Sequence, residues 1–142
     1  GDLWTYAYLT NLEDQSQEMS INVTYTYLVD GTEQTLRSAS VKYPVETGGI
    51  AIAYKSDGSI QTMQRMKSVK LTELSGSWAM ASNQRYAIAD DVQVYLRKNG
   101  SYYLTALSAV NAEDYTLTGW YNNSSSSAGR QIRIIIATAL ES

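Results

Sequence analysis

The chain contains no cysteine and no histidine. Thiol nucleophiles, disulfides, Cys/His zinc sites and imidazole acid–base chemistry are therefore excluded. Carboxylate, lysine, tyrosine, serine and threonine remain. Acidic residues stand side by side at Glu13-Asp14, Asp90-Asp91 and Glu113-Asp114. A glycan hydrolase needs two carboxylates facing one cleft, about 5 to 10 Å apart. Adjacent residues of a strand point to opposite faces, so no pair is itself such a site. Calcium could draw on Asp90, Asp91 or Asp114, but the D-x-D-x-D-G spacing of a calcium loop is missing. A Ser-x-x-Lys dyad is missing too: Ser38 stands too far from Lys42, and Ser68 too close to Lys70. Gly48-Gly49 is not followed by the Gly-Lys-Ser/Thr of a phosphate-binding loop. No catalytic residue, metal or cofactor is expected.

Aromatic side chains are the better candidates for binding. There are twelve Tyr, three Trp and no Phe. Tyr102-Tyr103 follows Asn99-Gly100, and Trp120-Tyr121 precedes a Ser-rich stretch. Strand neighbours alternate faces, so one ring of each pair should be exposed. Such rings stack on sugars or anchor a protein partner. Asn122, Asn123 and Asn99 could supply amides beside them. The competing reading makes Trp4, Trp78 and Trp120 core fillers in place of the missing Phe.

The elements that must position these residues read as strands. Ile21 to Val29 places apolar or aromatic residues at every odd position, the pattern of a strand with one face on a core. Ile50–Tyr54 and Val92–Leu96 repeat it, and Ile132–Ala137 is the most apolar run. Asp30-Gly31, Asp57-Gly58 and Asn99-Gly100 are dipeptides that tolerate positive φ in tight hairpins. Hairpins are expected at 21–29/32–38, 50–55/59–65, 91–97/101–107 and 115–121/131–138, the last with a long tip at Asn122 to Gly129. Helix signals are weak; Ser108 to Asp114 could form one turn with Ser108 as its cap.

An internal repeat accounts for the layout. Leu9-Thr10-Asn11-Leu12 matches Leu71-Thr72-Glu73-Leu74, and Tyr27-Leu28 before Asp30-Gly31 matches Tyr95-Leu96 before Asn99-Gly100. Each half then has a leading strand, a hairpin, a Ser-initiated connection and a second hairpin. The second half adds Ser75 to Asn83. The chain is expected to be all-β, with minimal helix. Two related five-stranded, OB- or SH3-like barrel units, 1–67 and 68–142, would pack together. Gly1 stands where an initiator methionine would, as in a piece cut from a longer protein with one added residue.

The net charge is −3 with no basic block, so nucleic acid is not an expected partner. No apolar run approaches the roughly 18 to 20 residues of a membrane helix, so membrane insertion is not expected.

The run Asp91-Val92-Gln93-Val94-Tyr95-Leu96, Tyr103-Leu104, Leu107-Ser108-Ala109-Val110, Tyr121 and Gly129 to Ala137 resembles the repeated small β-domains of secreted and S-layer-associated proteins of Firmicutes. The resemblance covers mainly residues 86–138 and carries no catalytic signature. It implies an extracellular or cell-surface location and a structural or binding role. The expected function is a non-catalytic domain of a larger bacterial surface or secreted protein, serving spacing, assembly or adhesion. Its partners would be other domains of the same chain, a surface protein or a glycan. The alternatives are a carbohydrate-binding module using Trp120, Tyr121, Tyr102, Tyr103 and Asn122, and a carboxylate-based glycan hydrolase.

Overall fold

The structure, a computed structural model, describes residues 4–122 and 130–140. Gly1, Asn123 and most of the Ser-rich tip lie outside the described residues. The protein is all-β, in two compact units, residues 1–66 and 67–142.

The first unit is a five-stranded sheet of β1 (Trp4–Asp14), β2 (Val23–Val29), β3 (Thr32–Ser38), β4 (Gly48–Tyr54) and β5 (Ile60–Arg65). Its order is β3-β2-β1-β4-β5, and every pairing is antiparallel. The alternation of Ile21–Val29 does what its period requires. Val23, Tyr25 and Tyr27 join Ala7, Leu9, Ile50, Ile52 and Met63 in one buried cluster. The β2–β3 turn is set by Asp30 and Gly31, at φ 48° and 83°, the pair of positive angles that a two-residue hairpin turn needs.

The connection between β3 and β4 supplies part of that core. Ser38 Oγ donates to the Val41 carbonyl at 2.7 Å and accepts the Val41 N–H at 3.1 Å. Beyond this knot, Tyr43 and Val45 pack against the cluster. The Tyr43 N–H donates to the buried Tyr25 hydroxyl at 2.9 Å, and the two rings stand 5.6 Å apart. One buried phenol thus satisfies its own oxygen and anchors the crossing segment.

The second unit comprises β6 (Lys67–Leu71), β7 (Glu73–Leu74), β8 (Trp78–Ala81), β9 (Gln84–Lys98), β10 (Ser101–Thr105), β11 (Tyr115–Tyr121) and β12 (Gln131–Ala139). Its path is β6-β11-β12-β9-β8-β7, with β10 added beside the second half of β9. Thr72 alone separates β6 from β7, and its N–H donates to Met80 O at 2.8 Å, so the path returns on itself. Counting β6 and β7 as one strand and setting β10 aside, the order is 1-2-3-5-4-1, with β9 and β12 parallel. That is the strand order of an OB barrel. Its interior holds Leu71, Ala79, Ala81, Ile88, Val94, Leu117, Ile132, Ile135 and Ala137.

All four expected hairpins pair as antiparallel neighbours. The expected likeness of the halves does not extend to strand order. Among the described residues only the second unit has a parallel pair, and β8, built from the added segment, is what lets β9 bridge into the ring. The first unit, expected as a barrel, is not a ring: among the described residues β3 and β5 each pair on one side. The Ser108 cap is also corrected. The turn is a 3-10 turn at Leu107–Ala109, with Ala106 before it and no side-chain cap, so Ser108 lies inside it.

Candidate functional site

The four rings singled out from the sequence do not form one surface. β12 and β9 lie between β11 and β10, a separation of three strand spacings, or about 14 Å. The register adds to this. Trp120 sits opposite Ile134, which aligns with Gln93, whereas Tyr102 and Tyr103 sit opposite Arg97 and Leu96. Tyr103 is exposed and Tyr102 half-buried, with Arg97 over its ring at 5.8 Å. Trp120 and Tyr121 are both half-buried. A bulge between them turns Tyr121 against the barrel core. Asn122 is half-buried too, with its Oδ1 lacking a hydrogen-bond partner among the described residues.

The structure assembles a different group around Tyr121. The β8–β9 hairpin turns at Ser82-Asn83, with φ of 50° and 64°. On β8, Ala79 and Ala81 face the narrow interior, which leaves Trp78 and Met80 on the opposite face. Trp78 is held from behind by a serine turn. Ser75 Oγ accepts from the Trp78 N–H at 3.1 Å and donates to the Trp78 carbonyl at 3.0 Å. The Ser75 N–H also donates to that carbonyl, at 2.9 Å. The Arg85 guanidinium lies over the indole, 4.5 Å from its centre. Beside it the Tyr86 ring packs on Tyr121 at 5.2 Å, and its hydroxyl donates to Gln84 Oε1 at 3.0 Å. Burial, then Tyr121, raises the Tyr86 phenol above its ordinary range, while the charge of Arg130 opposes the rise.

Trp78, Gln84, Arg85, Tyr86 and Arg130 thus line an open cleft of about 640 Å³. Arg130 precedes Gln131, which pairs with Ala87 and so brings the arginine to this end of β9. The Trp78 ring can stack on a ligand's ring, and the two cations and the Gln84 amide can donate to its oxygens. Among the described residues no carboxylate lines the cleft. None of the three tryptophans lies in the fully buried core; Tyr25 and Tyr95 do.

The paired carboxylates have other tasks. Asp14 accepts the Ser16 N–H at 2.9 Å and stands 3.2 Å from Lys42. Asp91 meets Arg133 at 3.6 Å, and Asp114 accepts from the Asn111 amide at 3.1 Å. Among the described residues no three acidic side chains come together as a metal site.

These contacts set the pH response. Hydrogen bonds from Ser16, and then Lys42, hold the Asp14 carboxyl at about 2. Those from Ser59 lower Asp57. A depressed carboxylate lends stability above its unfolded value, about 4, and loses it as pH falls through the native one. Burial pushes the Tyr27 phenol up to about 12. That contribution is complete below the unfolded value, about 10, and is lost as pH rises toward 12. With no histidine, stability should be level from about pH 5.5 to 7.5 and fall below 4 and above 10. Urea midpoints across pH check this; a step near 6.5 would contradict it.

No family model, curated protein or solved structure matches the chain.

Proposed function

We propose that the chain is a non-catalytic binding domain of a larger bacterial cell-surface or secreted protein, and that the cleft beside Trp78 receives a saccharide. The observation that supports this is the indole itself. It is placed on the outer side of the barrel by the small interior, on a backbone held by Ser75, and bordered by side chains that donate hydrogen bonds. Aromatic faces stack on the C–H faces of sugars, and polar neighbours fix orientation. The second and third strands of OB barrels are a common saccharide- and oligonucleotide-binding face. Trp78 and Arg85 lie on the corresponding strands, β8 and β9. The sequence, without Cys or His, favours binding over catalysis.

Intrinsic tryptophan fluorescence, titrated with soluble peptidoglycan, chitin and plant-polysaccharide fragments, tests the reading. A response lost in Trp78→Ala and kept in Trp120→Ala is expected. A response lost only in Trp120→Ala moves the site to β11. No response at millimolar concentration rejects the saccharide reading.

Spacing or assembly is the second reading, favoured by β10. This strand pairs on one side alone, and its adjacent Tyr103 and Leu104 are 54% and 53% exposed, on opposite faces. An apolar edge of that kind is suited to adding a partner's strand.

A further inference from the structure

We infer that the saccharide is acidic, a uronate whose carboxylate is held by Arg85 and Arg130; this rests on the saccharide reading of the cleft. The chain carries 14 acidic and 11 basic residues. Even so, among the described residues the cleft is lined by two arginines and no carboxylate. Two of the other four arginines are neutralised: Arg65 meets Glu46 at 3.1 Å and Arg133 meets Asp91 at 3.6 Å. Neither Arg85 nor Arg130 has such a partner among the described residues. Arg85 rests instead on the Trp78 indole.

That resting place decides between neutral and acidic sugars. A neutral sugar stacking on the covered face must displace the guanidinium and offers it no charge in return. A uronate offers a carboxylate, which the planar guanidinium fork can take through two parallel hydrogen bonds. Arg130 supplies a second cation beside the Tyr86 hydroxyl. Gln84, its Oε1 already accepting from Tyr86, retains an amide N–H₂ for a sugar hydroxyl. The same cations would attract a nucleic-acid phosphate, but tracking several phosphates needs a basic groove. The chain's net charge of −3 disfavours one.

Calorimetric titration of the intact chain tests the inference. The probes are oligogalacturonate, alginate oligomers and hyaluronan oligomers, each beside its methyl-esterified form, and a single-stranded DNA octamer. At least one uronate should bind about tenfold or more tighter than its ester, the difference made by a charge-assisted hydrogen bond. Affinity should fall with added salt. Arg85→Gln and Arg130→Gln, both at exposed positions, should each weaken that uronate about tenfold or more and bring the ratio of uronate to ester affinity close to one. Equal binding of uronate and ester overturns the acidic assignment and leaves the saccharide module standing. Tighter binding of the octamer than of any uronate overturns it in favour of phosphate. No binding of any saccharide overturns both readings.

Discussion

Replacing Ile135 with alanine should destabilise the second unit by about 3 to 4 kcal/mol. Ile135 is fully buried on β12, which lies between β11 and β9. Its core partners include Ala79, Ala81, Val94 and Leu117. The alanines are too small to fill the space that truncation leaves, so the transfer loss and the cavity term add. The interior is also close-packed: a Cβ added at Gly119 would meet Leu71 and Ile132 at 3.1 and 3.2 Å. Hydrogen exchange read by mass spectrometry provides the check. Amides of β9, β11 and β12 should lose protection by a factor corresponding to that free energy. Unchanged protection would mean that the ring is not the cooperative core of its unit.

Tyr25 carries the corresponding weight in the first unit. Tyr25→Ala should cost about 3 to 5 kcal/mol, typical of a buried aromatic ring. Tyr25→Phe separates the ring from its oxygen. It keeps the packing and leaves the Tyr43 N–H without its acceptor, at about 1 to 2 kcal/mol. Limited proteolysis should show faster cleavage within residues 39–47 for Tyr25→Phe, with the β2–β3 hairpin still protected. If cleavage there matches the wild type, Tyr25 does not anchor the connection through its hydroxyl.

Much of the fold can be read from the sequence, because its signals are local. The Asp-Gly and Asn-Gly turns specify three hairpins and the apolar run Ile132–Ala137 helps to specify the fourth, and all four are present. Three features are not legible. The β1–β2 pairing turns through residues 15–22, where side chains such as Ser16, accepting the Asn22 N–H at 2.8 Å, do the work of a glycine turn. The β8–β9 turn uses Ser82, a residue that does not announce a positive φ. The parallel pairing of β9 with β12 joins distant segments, and no local pattern encodes it.

The site is hidden by size rather than by distance. In Trp78-Ala79-Met80-Ala81 the usual rule sends the large residues inward. The barrel interior is narrow, so the alanines go in and the tryptophan stays out. The regular alternation of large and small residues in Trp78-Ala79-Met80-Ala81 is the available clue. Arg130 could not be assigned to the cleft without the β9–β12 register.

The place of β12 in the second ring governs the order of events during synthesis. The first unit has its central strand at its beginning, and each later strand adds to a neighbour already made. In the second unit the strand that must lie between β9 and β11 leaves the ribosome last. Until it arrives, β9 holds an open edge rich in Val, Tyr and Leu, and closing it requires a contact of long sequence separation, the slow kind. A nascent chain therefore passes through a stage with a complete first sheet and an unsealed second one. Strand exchange between neighbouring copies on one message is the hazard of that stage.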